Sequence, residues 1–379
     1  MVLAAREAAA RHVVKVAIEP FRPQHEEAAA AFNRRMRNAG APTAFLLPTR
    51  AKPAAAADGV TLTQYVAVDD VGHVRGGILC QEHPALVGGR IERTANLQAP
   101  LSEGIMDRAY AFVAPQLVKH VVRRTPHVFV VGMGSAELPF PRMLKAMGWG
   151  LHTAPFYYRL LRPSRCVRHL GPLRATRARR LAARVAAATG LAALAGRAAH
   201  HPSAETRRIA AGFSAEPVQR WDDWADAAWE VFAEHLSFGV RRTRDALPFF
   251  YPFTERSPHA WMLTHRGAVQ GWFGLAVRPM TGNAYFGDLT VATLTDCVGT
   301  REAVRAGMAL AVEQAAAEGA DILVTNQQHR LLGESCLAAG WRQGPSNFLV
   351  ATSPALNKSF DGSTAYVTRR DGDGLTNLA

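Results

Sequence analysis

The sequence predicts an α/β protein of two similar units in tandem, joined by a basic helical connector. Three observations carry that expectation. Residues 288–341 read as strand, turn, helix, strand, short helix and Gly340-Trp341, which is the order of a parallel strand pair with its crossover helix. An earlier stretch runs through the same order and closes on Gly148-Trp149. Between the two, from Arg162 to Arg208, eleven arginines face one acid, Glu205, on an Ala-rich helical pattern. The boundaries that follow are a first unit over 1–161, a connector over 162–214, a second unit over 215–356 and a polar tail over 357–379.

A chain of 379 residues is longer than one hydrophobic core sustains, so two cores are expected. Its 48% hydrophobic and 20% charged residues are those of a globular protein, with no apolar run long enough to span a bilayer. The first sixteen residues scatter Arg6, Glu7, Arg11, His12 and Lys15 among short apolar side chains, unlike a secretory signal. Cys80, Cys166, Cys297 and Cys336 are widely spaced, which fits free thiols and neither a disulfide framework nor a zinc site. A cytoplasmic protein is expected. Asp371-Gly-Asp-Gly lacks the ligand spacing of a calcium loop, and no metal is expected.

The connector contributes ten of the net thirteen positive charges, so the two units are near neutrality and no DNA-binding surface spread over them is implied. Leu181, Val185, Leu191 and Leu194 give it a broken apolar stripe. It reads either as a solvated connector or as a helix for an anionic membrane surface or RNA.

In chain order, Ile18 to Pro23 is strand-like, and Ala28, Ala31, Phe32, Arg35 and Met36 recur at helical spacing until Gly40. Tyr65–Val68 and Val74–Cys80 form a hairpin about Asp69-Asp70-Val71-Gly72. Ile91–Leu101 is extended, Gln116–Arg124 helical, Val128–Val131 a strand, and Phe156–Leu161 the last strand of the first unit. The second unit offers a helix over Trp221–Glu234, an aromatic loop over Leu247–Phe253 that can line an acceptor pocket, and a hairpin about Arg266-Gly267. Phe286–Leu294 then reads as a strand, Thr295–Thr300 as a turn and Arg301–Glu318 as a helix stopped by Gly319. Asp321–Thr325 is a buried-type strand, Asn326–His329 a polar exit and Leu331–Ala339 a short helix. At an offset of 195 residues, Val74, Gly76, Pro84 and Gly104 meet Val269, Gly271, Pro279 and Gly299. Asn357 to Ala379 reads as a tail of turns.

The order Asp288 to Trp341 resembles the acyl-coenzyme A binding half of the GNAT acyltransferase fold, and the whole chain resembles a tandem GNAT protein. The resemblance implies that main-chain N–H groups of Val298, Gly299, Thr300 and Arg301 hold a coenzyme pyrophosphate, and that Asn326 is the polar residue after the fifth strand. The family's Gln/Arg-x-x-Gly-x-Gly/Ala loop is matched only in part, with Asp296 and Arg301 flanking Gly299. Cys336 stands where the family often has a Tyr acid, either as a thiol in that role or as a small core residue. Asp288 is the candidate base if partly buried, and otherwise a strand-end carboxylate paired with an arginine. Asp296 is expected to cap or turn the chain. In the first unit the corresponding loop, Pro100 to Gly104, carries Glu103, Gly132-Met133-Gly134-Ser135 leaves the second strand, and Leu144 stands at the Tyr place, so this unit is expected to be structural or acceptor-shaping.

The expected activity is N- or O-acyl transfer from acyl-CoA, foremost acetyl-CoA, to an amine or hydroxyl such as that of an envelope polysaccharide precursor, with peripheral attachment at the inner membrane as an option. The alternatives are a tRNA-dependent aminoacyl transferase of the peptidoglycan-bridge type and a non-catalytic acyl-CoA-binding scaffold.

Overall fold

In the computed structural model, residues 15–41, 46–50, 59–171, 200–254 and 259–372 are described. They form two mixed sheets. The first unit supplies β1 (Val16–Pro20), α1 (Glu26–Asn38), β2 (Thr61–Asp69), β3 (Val74–Val87), β4 (Arg90–Ser102), α2 (Val113–Arg124), β5 (His127–Val131), α3 (Pro139–Ala146), β6 (Gly150–Thr153) and β7 (Phe156–Leu160). After α4 (Pro163–His169), the second supplies α5 (Ala204–Ala210), β8 (Phe213–Pro217), α6 (Asp223–Ala233), β9 (Phe238–Val240) and α7 (Leu247–Phe250). There follow β10 (His259–His265), β11 (Ala268–Pro279), β12 (Thr290–Gly299), α8 (Arg301–Ala317), β13 (Ile322–Asn326), α9 (Arg330–Ala338), β14 (Arg342–Gly344), β15 (Leu349–Thr352), α10 (Pro354–Asn357) and β16 (Ala365–Tyr366).

The two sheets exchange a strand. The first runs β1-β2-β3-β4-β5-β15-β6, and the second β14-β7-β13-β12-β11-β10-β8. Thus β7, expected to finish the first unit, lies between β13 and β14 of the second, with Leu160 opposite Ile322 and Tyr158 opposite Arg342. In return β15 lies between β5 and β6 of the first, pairing Val350 with Val131 and with His152. Neither sheet is complete without the other half of the chain.

The repeat shows in the register. Gly76 faces Ser102 as Gly271 faces Gly299. Parallel bonding of β4 to β5 covers Thr94–Asn96 and His127–Phe129, while that of β12 to β13 covers Val291–Thr293 and Ile322–Val324. Gly299 therefore corresponds to Ser102 and not to Gly104, because the chain from Gly271 to Gly299 is two residues longer than that from Gly76 to Ser102.

Cores form on both units. Phe129, Trp229, Phe232, Trp272, Val304, Leu323 and Trp341 belong to the larger one, which also includes Phe238 and Tyr366. Ile78, Leu97, Leu117, Val121 and Val130 fill the second. At about 25 cal/mol per Å² of apolar area buried, these clusters supply the main drive for folding. Gly148 and Gly340 take positive φ after α3 and α9, ending both helices before the buried Trp149 and Trp341.

The tail departs most from expectation. Ala365 to Gly372 is largely buried, with β16 pairing β9, which itself pairs β3 of the first unit. Among the described residues no helix is long and apolar enough to cross a membrane. The stripe Leu181, Val185, Leu191 and Leu194 falls outside the described residues.

Candidate functional site

In each unit the central parallel pair bonds over three residues and then parts at its carboxyl ends, below the start of a helix. That parting is the natural place for a ligand in an open α/β sheet. The two openings differ in what fills them.

In the second unit the chain fills the opening itself. Thr295–Gly299, expected as a turn, is strand, because β11 continues to pair with it past a one-residue bulge at Thr295. Asp296 is consequently fully buried and becomes a hub. Its Oδ2 accepts from Arg242 Nε at 3.2 Å and Tyr251 OH at 2.7 Å. Its Oδ1 accepts from Arg242 Nη2 at 3.2 Å, Tyr366 OH at 2.6 Å and Thr368 Oγ1 at 3.3 Å. Arg242 reaches Asp371 as well, at 2.7 Å, and lies over the ring of Phe250. Burial opposes the Arg242 charge, but Asp296 and Asp371 outweigh it and raise its pKa. Burial, with the Asp296 charge behind it, raises both Tyr251 and Tyr366, so each stays a donor. With five donors on two oxygens, Asp296 has no lone pair left for catalysis. Tyr366 OH also accepts the Cys297 N–H at 3.3 Å.

The residues singled out in the sequence do not converge. Asp288 is exposed in the loop before β12, bonds the Gly282 N–H and faces His169 at 3.6 Å. It lies at the amino end of β12, about 30 Å of strand from Gly299, so it is neither a buried strand residue nor near Asn326. Its Gly-Asp-Leu-Thr context reads as strand, yet Gly287, at φ 59, closes a bridge with Asn283 first. Cys336 is wholly buried, with its Sγ 3.5 Å from Met308 Sδ, and burial raises its pKa well above the ordinary thiol value. It is a core residue.

Asn326 is buried at the end of β13, giving its Nδ2 to Ser346 Oγ at 3.3 Å and accepting Arg369 Nε at 3.0 Å. Val298 is buried opposite Trp272. Gly299 is required because a Cβ there would lie 2.3 Å from the Gln270 carbonyl oxygen. Thr300 caps α8 through the Ala303 N–H at 3.2 Å, and Arg301 is exposed beside it. One residue, not a loop, separates strand from helix. Glu302 adds a carboxylate to the first turn of α8.

In the first unit the opening between β4 and β5 is met by Asn96, whose Nδ2 donates to the Phe129 carbonyl at 3.5 Å, and by the backbone of Gly372 against Asn96. Glu103 is buried, yet Arg35 and Arg75 neutralise it, with Arg75 Nη1 at 2.8 Å. Helix α2 starts at Val113 after Phe112, with no side-chain cap and no acid in its first turn. Around these strand ends Ile105, Met106, Phe112 and Leu138 are exposed apolar side chains. Gly132 and Gly134 leave β5 at φ 74 and 77.

Arg242 and Tyr366 were missed in the sequence, Asp371 was read as part of a tail of turns, and Tyr251, in the stretch expected to line an acceptor pocket, is buried on Asp296. Only Asp296 gave a signal, as an acid inside an otherwise apolar stretch. Among the described residues no group of three or more His, Cys, Asp or Glu lies together as a metal site would.

No protein-family model matches the chain, and no curated protein matches it in sequence. Similar solved structures include a probable N-acyltransferase of Enterococcus faecalis V583, at 9% identity and TM-score 0.47, over 89% of this chain and 72% of that one. Saccharomyces cerevisiae N-myristoyltransferase with bound myristoyl-CoA gives 11% and 0.46, over 76% and 69%. A tandem GNAT protein from the clavulanic acid biosynthesis pathway gives 16% and 0.44, over 89% and 99%. These are likenesses in fold.

Proposed function

We propose that the chain is an acyl-coenzyme A-dependent acyltransferase, and that the coenzyme enters at the carboxyl ends of β4 and β5 in the first unit. The observation that carries the reading is the parallel pair that parts after Asn96 and Phe129 below an uncapped helix start. Parted strands offer main-chain N–H and C=O groups to the amides of an extended pantetheine arm, as an added strand would. A helix N-terminus without acid suits a pyrophosphate. In the second unit Tyr366 holds the Cys297 N–H, Arg369 holds Asn326, and Glu302 opposes an anion, so the first unit is the better host.

The chemistry is attack of an amine or hydroxyl on the thioester carbonyl, with the oxyanion held by main-chain N–H groups until the thiol leaves. The second unit serves by completing the first sheet through β15 and by carrying Gly372 against Asn96.

Thiol release from acetyl-CoA and longer acyl-CoAs, with a panel of amines and hydroxyl acceptors, tests the reading. Acceptor-dependent release supports it. Transfer from charged tRNA with no coenzyme A bound would instead favour the aminoacyl-transfer reading, and coenzyme binding without turnover the scaffold.

A further inference from the structure

Three fully buried polar side chains stand on one face of the first sheet with an end unused. Gln81 and His83 on β3 face Asn96 and Thr94 on β4, in the pairs Gln81–Asn96 and His83–Thr94. All four point to the same side, and directly opposed Cβ atoms in such a pair are about 5 Å apart. Gln81 is 0%, His83 1% and Asn96 0% exposed.

Each is fixed at one end. Gln81 Oε1 accepts from Gln98 Nε2 at 3.2 Å, and Asn96 Nδ2 donates to the Phe129 carbonyl at 3.5 Å. His83 Nδ1 lies 2.9 Å from Thr94 Oγ1, while that hydroxyl donates to the His83 carbonyl at 3.1 Å. Both bonds form together only if Nδ1 carries the proton, which leaves Nε2 as a bare lone pair. Burial and the Arg242 charge push His83 down to about 3, so Nε2 stays an acceptor at neutral pH. Among the described residues, Gln81 Nε2, His83 Nε2 and Asn96 Oδ1 have no partner.

Buried polar atoms left idle cost stability, and three together on adjacent strands mark a surface shaped for something else. The face adjoins the last bonded residues before β4 and β5 part, where an acyl group would be attacked. The backbone of Gly372 closes it here, since a Cβ on that residue would lie 2.5 Å from Asn96 Oδ1.

We propose that Gln81, His83 and Asn96 form the acceptor-recognition site, and that it takes an uncharged group with two hydrogen-bond donors and one acceptor, as a primary carboxamide has. The N–H pair of such a group meets His83 Nε2 and Asn96 Oδ1, and its carbonyl meets Gln81 Nε2. A carboxylate brings no donor and meets two acceptors. An ammonium leaves Gln81 idle and buries a charge with no counter-ion, because Asp296 and Asp371 are already paired with Arg242.

The inference rests on the acyl-transfer reading only in calling the bound group an acceptor. Its tests use no coenzyme A, so either reading can fail alone. In the full-length chain, Gln81→Leu and His83→Phe are each expected to raise Tm by about 2 °C or more, because they remove idle buried polar atoms. A fall in both would show that these groups serve the fold and would overturn the proposal. In the unaltered chain with 15N-labelled histidine, acetamide is expected to give a saturable shift of the His83 Nε2 resonance, and acetate none. No response to acetamide, or an equal one to acetate, would also overturn it.

Discussion

Tyr366 on β16 donates its hydroxyl to Asp296 on β12 at 2.6 Å and accepts the Cys297 main-chain N–H on the same strand, so one phenol joins the end of the chain to the second sheet. Removing it leaves a buried N–H without a partner and the Asp296 carboxylate one donor short. Tyr366→Phe is therefore expected to lower unfolding free energy by about 1–3 kcal/mol in denaturant titrations. A change below about 0.5 kcal/mol would mean that the tail is not held as described.

Arg242→Met should cost more, about 3–5 kcal/mol, because it strands two buried carboxylates. The pair itself is weak evidence of net stabilisation, and its loss is costly through the charges left behind. Equal effects of Arg242→Met and Tyr366→Phe would argue against the Asp296 hub.

Strand exchange makes a prediction about the halves. Expressed alone, residues 1–161 lack β15 and residues 200–379 lack β7, so neither is expected to give a cooperative unfolding transition. A chain cut once within 172–199 by an inserted protease site should elute at the size of the intact protein. Independent folding of either half would contradict the exchange.

Acid should loosen the fold in a defined window. Burial, aided by Arg330, lowers His329 from 6.5 to about 4. In the folded state it stays neutral while the unfolded chain takes up a proton, so stability rises with pH between about 4 and 6.5 and falls on acidification through that range. His329 also caps α9 through Nδ1, and Asn keeps a cap. His329→Asn is expected to flatten the slope by up to about 1.4 kcal/mol per pH unit within that window. An unchanged slope would show that His329 titrates normally.

Much of the fold was legible because it is written locally. The hairpin about Arg266-Gly267 follows from two residues at φ 51 and 78, and α1 and α8 follow from helical spacing ended by Gly40 and Gly319. Partner choice was not legible. Phe156–Leu160 and Leu349–Thr352 are short strands whose composition does not say which sheet receives them. The tail reads as polar turns, since Thr368 and Asp371 become core residues only against Arg242, 126 and 129 residues away. The same reason hid the candidate site: Gln81, His83 and Asn96 acquire meaning from strand register, and no spacing in the sequence reveals it.

The central claim is that coenzyme A enters at the first unit, and calorimetric titration of the full-length chain tests it most directly. Ala114→Asp places a carboxylate in the first turn of α2, where it favours the helix but repels a pyrophosphate. Arg301→Glu does the same at α8. The account predicts at least tenfold weaker coenzyme A binding for Ala114→Asp, about 1.4 kcal/mol, with Arg301→Glu within twofold of the unaltered chain, about 0.4 kcal/mol. Loss of binding in Arg301→Glu with Ala114→Asp unaffected would contradict it and move the coenzyme to the second unit.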